Sequence, residues 1–531
     1  MNRRLQIIMP FIFGILIAIG VLIGKLIGSQ GSGLPNRSML VYPQNNKLNT
    51  VLDLISSEYV DTVNTSKMVE EMIPHLLDKL DPHSVYIPAK DLQQVNEELE
   101  GNFGGIGVQF SMQNDTVMVI SVISGGPSAK LGILPGDRIV AVNDSSIAGK
   151  KISTDKVMKQ LRGEMGTRVA VTILRGSQKL NFDIVRDAIP VYSIDVSYMV
   201  DAQTGYVKID RFAQNTYDEM IMSMAKLKSK GCKQVVVDLR GNSGGLLDAV
   251  IRMCNEFLQK NDLIVYTVGR SQPRQDVRAN GAGSCQDMKV IVLIDEFSAS
   301  ASEIFAGAIQ DNDRGVVIGR RSFGKGLVQQ QIPLPDGSAL RLTVARYYTP
   351  SGRCIQKPYN GSTEDYYEDI IHRYDHGEFF SQDSVKFDEA EKYTTKSGRI
   401  VYGGGGIMPD IFVARDTTEF SNFYFNLRSK GTVYSFALSY ADSHRDELKR
   451  YQSAQEIKKY LDQKPIIDEL LKRAQKDGIV FNAKEFNRSK RMIDSEVKAY
   501  IARNIIDNEG FYPIIHSIDN VFQKAIDEAG K

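Results

Sequence analysis

The chain has no tryptophan, only four cysteines and only six histidines in 531 residues, and each scarcity removes a class of chemistry. Cys232, Cys254, Cys285 and Cys354 stand far apart without a Cys-x-x-Cys pair, so neither a zinc cluster nor a disulfide framework is expected; a single disulfide after export is left open. No His-Glu-x-x-His occurs, and no metal or cofactor is expected. A charge excess of either sign is also missing. With 65 Lys and Arg against 64 Asp and Glu, the balance argues against nucleic acid as a main partner. At about 150 residues per domain, this length points to roughly three or four domains.

What is present is a cluster of serines followed by a lysine. Lys289-Val-Ile-Val-Leu-Ile294 is short and β-branched, as a buried strand requires, and Ala301, Ile304, Phe305, Ala308 and Ile309 then fall at helical spacing. Ser298, Ser300 and Ser302 therefore sit where a strand gives way to a helix, beside unpaired N–H groups that favour an alkoxide or an oxyanion. Serine needs a base. None of His75, His83, His372, His376, His444 and His516 lies in this segment, although folding can join distant residues. Lys325, between Phe323, Gly324 and Gly326, serves if burial lowers its pKa. The bland alternative is that the serines cap the helix and Lys325 is a solvated loop charge.

A second strand-to-helix turn runs through Val235 to Leu239, then Arg240-Gly-Asn-Ser-Gly-Gly245, then Leu246, Leu247, Val250 and Ile251. Its glycines can aim N–H groups into a cleft or simply make a tight connection. Two other patterns compete for the lysine segment. Gly319-x-x-x-x-Gly324-Lys325 approaches a phosphate-binding loop, but Gly326 replaces the Ser or Thr that would bind magnesium. Ser322-Phe-Gly-Lys325 fits the Ser-x-x-Lys of penicillin-recognising enzymes, without their companion motifs.

Taken together, Leu80-Asp-Pro-His-Ser-Val-Tyr86, Phe103 to Val108, Asp238 to Gly245, Ser298 to Glu303, Gly319 to Gly326, Gln329 and Ile407-Met-Pro-Asp410 resemble the carboxyl-terminal processing peptidases, or tail-specific proteases. The resemblance spans well over half of the chain. It implies a ClpP/crotonase-like serine protease core, in which Ser300 attacks, Lys325 is the base and Gln329 orients it. Ala301 and either Gly244 or Gly245 would donate to the oxyanion.

Between Gly101 and Arg186, short strands at Val117–Val122, Asp137–Val142 and Arg168–Leu174 and a helical stripe at Val157, Met158 and Leu161 resemble a PDZ domain. The resemblance implies that Phe103, Gly104, Gly105, Ile106, Gly107 and Val108 form the loop that receives a peptide's terminal carboxylate. Upstream, Arg3 and Arg4 precede an apolar run from Ile7 to Ile23. That pattern reads as an uncleaved single-pass anchor in the cytoplasmic membrane with the catalytic part exported to the periplasm or cell envelope, or as a cleaved signal peptide.

The expected fold class is therefore multidomain α/β and α+β, a serine protease core with an inserted or preceding PDZ domain and helical N- and C-terminal regions. The expected divisions are 1–28 anchor, 29–44 linker, 45–100 helical lead-in, 101–190 PDZ, 191–415 peptidase core and 416–531 helical. Within the core, 360–397 reads as an exposed acidic, tyrosine-rich insertion. The expected partners are polypeptide tails, the membrane, and a second copy or an adaptor protein. A noncatalytic PDZ scaffold is the rival from another class.

Overall fold

The computed structural model describes residues 47–531 apart from 114, 124, 360 and 361, so the apolar run from Ile7 to Ile23 lies outside the described residues. The expectation of a single-pass membrane anchor, and with it a cytoplasmic-membrane location, is corrected: among the described residues no helix is long and apolar enough to cross a membrane. The longest described helix, Ala483–Ile506, carries Lys484, Glu485, Arg488, Lys490, Arg491 and Asp494, which hydrocarbon does not accept. The chain divides into two compact units, 1–72 and 73–531. In the first, Lys47–Glu58 is helical, as the stripe Leu48, Val51, Leu52 and Ile55 predicts.

In the second unit the helix Ala89–Glu100 stops on Gly101, whose φ of +75° supplies the left-handed cap. A strand pair follows, Asn102–Gly105 against Asp187–Pro190. Between its two halves the chain builds an antiparallel sheet in the order β1 (Val108–Gln113), β2 (Thr116–Val122), β3 (Arg138–Val142), β4 (Arg168–Arg175) and β5 (Gln178–Val185), with helix α1 (Thr154–Leu161). Val169, Val171 and Ile173 alternate inward along β4 and meet Val157 and Leu161 of α1. Strand β1 is the edge of this sheet and, among the described residues, pairs only with β2.

The larger half is organised by a mostly parallel sheet, β6 (Ile194–Met199), β7 (Thr204–Ile209), β8 (Gln234–Asp238), β9 (Lys289–Ile294) and β10 (Val316–Gly319), ending on the short strand Ile411–Phe412. A sheet covered on both faces needs strands that are apolar throughout. Val235, Val237, Val290, Val292 and Ile294 face α2 (Thr216–Ser229), α3 (Leu247–Phe257) and α4 (Ala301–Asp311). Val236, Ile291 and Leu293 face α5 (Asn520–Ala529), which presents Val521, Phe522 and Ala525. A second sheet holds the hairpin β11 (Leu327–Pro333) and β12 (Ala339–Tyr348), and the strand Val85–Ile87 pairs with β12.

Three expectations are settled by these elements. Lys325 is followed by a strand rather than a helix, which removes the phosphate-loop reading. The 360–397 interval is not simply an exposed insertion, since the helix Thr363–Asp375 buries Tyr366 and Arg373. All four cysteines are free thiols, three of them buried. Beyond 416 the chain is helical, as expected, and has a core of its own around Leu427, Leu448, Ile457, Leu470 and Val497. Ile294, fully buried at the end of β9, is expected to cost about 2–5 kcal/mol as Ile294→Ala; an unshifted urea midpoint would remove it from the core that carries the serine turn.

Candidate active site

Strand β9 ends at Ile294 and the chain turns before α4 begins at Ala301. Asp295 closes that turn by accepting the N–H groups of Phe297 and Ser298 and, across the sheet, of Gly241. Ser300 sits at the helix entry with φ +55° and ψ −113°, backbone that costs a residue other than glycine about 1–3 kcal/mol. Glu303 holds it there. One carboxylate oxygen accepts the N–H groups of Ser300 and Lys325, each at 2.8 Å; the other accepts Ser322 Oγ at 2.5 Å and the Gly324 N–H at 2.7 Å. Burial pushes the Glu303 carboxyl up to about 7, against the pull of those four bonds. The Tyr347 hydroxyl lies on the Lys325 carbonyl and 3.1 Å from that of Ser300, a second tie between the segments.

The other candidate serines have structural employment. Ser298 Oγ donates to the Leu239 carbonyl and accepts the Asp295 N–H, Ser302 Oγ donates to the Asn242 carbonyl, and Ser322 Oγ donates to Glu303 while accepting the Ile407 N–H. All three are inaccessible to solvent. Ser300 alone of the four lines a cavity of about 480 Å³, and Lys325, Gln329, Ala301, Gly245, His83 and Arg341 line it too. Ser322 at the floor of the lysine loop thus loses the Ser-x-x-Lys reading.

Two N–H groups in this cavity wall are free. Ala301 is the first residue of α4, and neither its N–H nor that of Gly245 has an acceptor among the described residues. The Gly244 N–H, by contrast, is taken by Asn242 Oδ1 at 2.8 Å, which separates the two glycines that the sequence left open. Gly244 matters sterically instead. With φ at +105°, a Cβ there would lie 2.7 Å from Ser300 Cβ and 2.8 Å from the Ala299 carbonyl. Asn242 knits the two turns together: its carbonyl accepts the Ala299 N–H and Ser302 Oγ, and its amide donates to the Ile209 carbonyl.

The Lys325 side chain is half-buried, and no carboxylate lies within ion-pair distance of its ammonium among the described residues. Burial lowers its pKa and the Arg341 guanidinium lowers it further, while Glu303 and Asp81 act in the opposite direction. Gln329 is in the same cavity but its amide donates to Thr343 Oγ1 at 3.3 Å, and Thr343 Oγ1 in turn donates to Asp81 at 3.0 Å. The glutamine is thus joined to Asp81 rather than to the lysine.

Reasoning from local spacing missed His83. The Val85–Ile87 pairing with β12 brings it into the cavity, where its Nε2 lies 3.0 Å from the Tyr366 hydroxyl. Burial, then the charge of Lys325, lowers its pKa to about 4, so it is neutral and weakly basic at pH 7. The only signal was the Leu80–Tyr86 segment, noted without a role. In the smaller domain, Phe103, Gly104 and Gly105 lie in the strand pair, with Arg162 stacked 4.0 Å over the Phe103 ring. Ile106 packs into the domain core and Val108 begins β1. The N–H groups of Ile106 and Gly107 have no acceptor among the described residues.

A serine at a strained strand-to-helix entry, two free N–H donors and a desolvated lysine in one cavity are the parts of an acyl-transfer site. The chain matches Peptidase family S41 over residues 203–367 and the PDZ domain over 104–185. It is 40% identical over 330 residues to a carboxy-terminal-processing protease of Bartonella bacilliformis, an overlap covering 60% of this chain and 74% of that protein. This chain belongs to peptidase family S41. It is a serine peptidase of the carboxy-terminal processing type with a PDZ domain, which sets aside the noncatalytic scaffold.

The peptidase is also 34% identical over 333 residues to a probable CtpA-like serine protease of Staphylococcus epidermidis, covering 62% of this chain and 66% of that one. Among solved structures, a photosystem II D1 C-terminal processing protease aligns at 23% identity and a TM-score of 0.36, covering 71% of this chain and 95% of that one. Residues 423–507 match a family of unknown function. Gly244→Ala in the peptidase is expected to displace Ser300 and lower kcat by about 100-fold, the scale of a 1 Å misplacement. Wild-type turnover of a peptide by that variant would show that the contact tolerates a methyl group.

Proposed function

We propose that Ser300 and Lys325 form the catalytic dyad of this peptidase and that its PDZ domain presents polypeptide C-termini to them. The observation that carries the reading is that Ser300, alone among the four candidate serines, opens into the cavity that also holds Lys325. Residues 191–415 would then carry catalysis and 101–190 recognition, between the helical segments 45–100 and 416–531.

Neutral Lys325 takes the proton from Ser300 Oγ as that oxygen attacks the scissile carbonyl. The carbonyl oxygen becomes an oxyanion and is received by the N–H groups of Ala301 and Gly245. Collapse of the tetrahedral intermediate breaks the C–N bond, and the lysine ammonium returns its proton to the departing amine. Water, deprotonated by the same lysine, then releases the acyl group and restores Ser300. Gln329 works at one remove, as part of the Gln329–Thr343–Asp81 chain along the cavity wall that sets the field around the amine. Recognition uses the unpaired edge of β1, to which an extended tail adds as a further strand, with its carboxylate at the free Ile106 and Gly107 N–H groups in the Phe103–Val108 segment.

Ser300→Ala is expected to abolish cleavage of an unstructured polypeptide with an apolar C-terminus while leaving its binding intact; fragments from the purified variant refute the assignment. Lys325→Arg is expected to be equally inactive, because guanidinium keeps its proton. The dyad also fixes the sign of the pH dependence. Only the neutral amine works, so kcat/KM rises with pH, with its limb below the ordinary lysine value. Arg341→Gln removes a neighbour that lowers the Lys325 pKa, so the limb moves to higher pH; a limb that stays or moves down assigns the titration elsewhere.

A further inference from the structure

The C-terminal helix α5 is remote in sequence from every catalytic motif, yet it reaches the turn that carries Gly244 and Gly245. The contact is one guanidinium held by two carboxylates. Asp238, at the end of β8 and buried, grips Arg240 through Nε at 3.0 Å and Nη2 at 2.6 Å. On the adjacent edge Asp519 accepts Nη1 at 3.0 Å and pairs with Nη2 at 2.7 Å. Lys208 Nζ donates to the Arg240 carbonyl at 2.5 Å, so the arginine's main chain is pinned as well. Two residues further on comes Asn242, which binds the Gly244 N–H and the Ser300 side of the site. Asp519 is at the same time the N-cap of α5, accepting the N–H groups of Val521 and Phe522 at 3.1 Å.

Resting on the assignment of Ser300 and Gly245 above, we propose that Asp519 is a positioning residue for the oxyanion turn, so that the C-terminal helix is part of the catalytic apparatus and not only a cover for the sheet. A guanidinium gripped on one edge can swing with its turn; gripped on two edges, by a strand of the sheet and by a helix docked on that sheet, it cannot. Asp519 touches no reacting atom. Its effect passes through Arg240 to the direction of the Gly245 N–H, so it is felt in the transition state, where the oxyanion exists, and not in substrate binding.

The double duty of Asp519 supplies a clean substitution. Asparagine and serine are both good N-caps, so Asp519→Asn and Asp519→Ser keep the helix start while removing the charge that holds Arg240. Lys289→Ala is the control: its ammonium donates to the Glu528 carbonyl at the far end of α5, so its loss loosens the helix without touching the turn. The full-length chain is assayed on an unstructured peptide with an apolar C-terminus and inhibited with a peptide boronic acid, whose tetrahedral adduct puts an oxygen in the oxyanion position. In both Asp519 variants kcat is expected to fall about tenfold, short of the roughly 10²–10³-fold loss for deleting a donor outright. KM should stay within about twofold, and the boronate inhibition constant should rise in step with the loss of kcat. Lys289→Ala should leave both near wild type. Wild-type kcat in the Asp519 variants, or an equal loss in Lys289→Ala, overturns the proposal. If Asp519→Asn fails to fold, the serine variant gives the same readout. A wild-type chain that cleaves nothing brings down the dyad beneath this inference too, whereas an active wild type with unaffected Asp519 variants brings down this inference alone.

Discussion

The buried Glu303 carboxylate is what the rest of the site depends on. A carboxylate away from water is costly unless its lone pairs are occupied, and here four donors occupy them, one from the serine turn and three from the lysine loop. The Ser300 turn and the Ser322–Lys325 loop are thereby brought to one point. The same bond restrains Ser300 in left-handed backbone, whose strain would otherwise relax. Glu303 also supplies nearby negative charge, which opposes the fall of the lysine pKa that burial and Arg341 produce. The balance of those influences sets the pH at which the lysine becomes neutral.

Around this point the fold works by covering both faces of one sheet. Apolar residues on successive positions of β8 and β9 point alternately to two cores, so the sheet demands helices on each side. Helices α2, α3 and α4 provide one layer and place the glycine turn and the serine turn at neighbouring strand ends. Helix α5 provides part of the other. Its Phe522, edge-on to Tyr206 of the sheet and stacked 3.8 Å from His516 in the turn before it, gives it a rigid seat from which Asp519 reaches Arg240.

Much of this was legible in the residues. The β-branched run at 289–294, the helical stripe after Ser300, the glycine turn after Asp238 and the short strand at Arg168–Leu174 each reflect short-range physics, and each becomes the expected element. The anchor read from the apolar N-terminal run found no support, because no described helix has the length and apolarity to span a bilayer. The choice between Gly244 and Gly245 was not legible, since it turns on one hydrogen bond from a neighbouring asparagine. Nor was the burial of Tyr366 in a segment whose composition looked exposed. Acidic and tyrosine-rich describes that segment's average, whereas burial follows the one face of its helix that meets Phe323 and His83.

The sequence by itself determined the periodicities, the turns and the set of reactive side chains, because hydrophobic spacing and backbone preference act over a few residues. It thereby indicated the family and the class of chemistry. Only the tertiary structure decided which serine is free, which N–H groups lack acceptors, that His83 enters the cavity and that Asp519 reaches the glycine turn. Most of those properties belong to pairs of residues far apart in the chain, among them Glu303 with Ser322, 19 positions apart, and Arg240 with Asp519, 279 apart. Hydrogen bonding and desolvation depend on such distances in space, and local sequence pattern does not encode them.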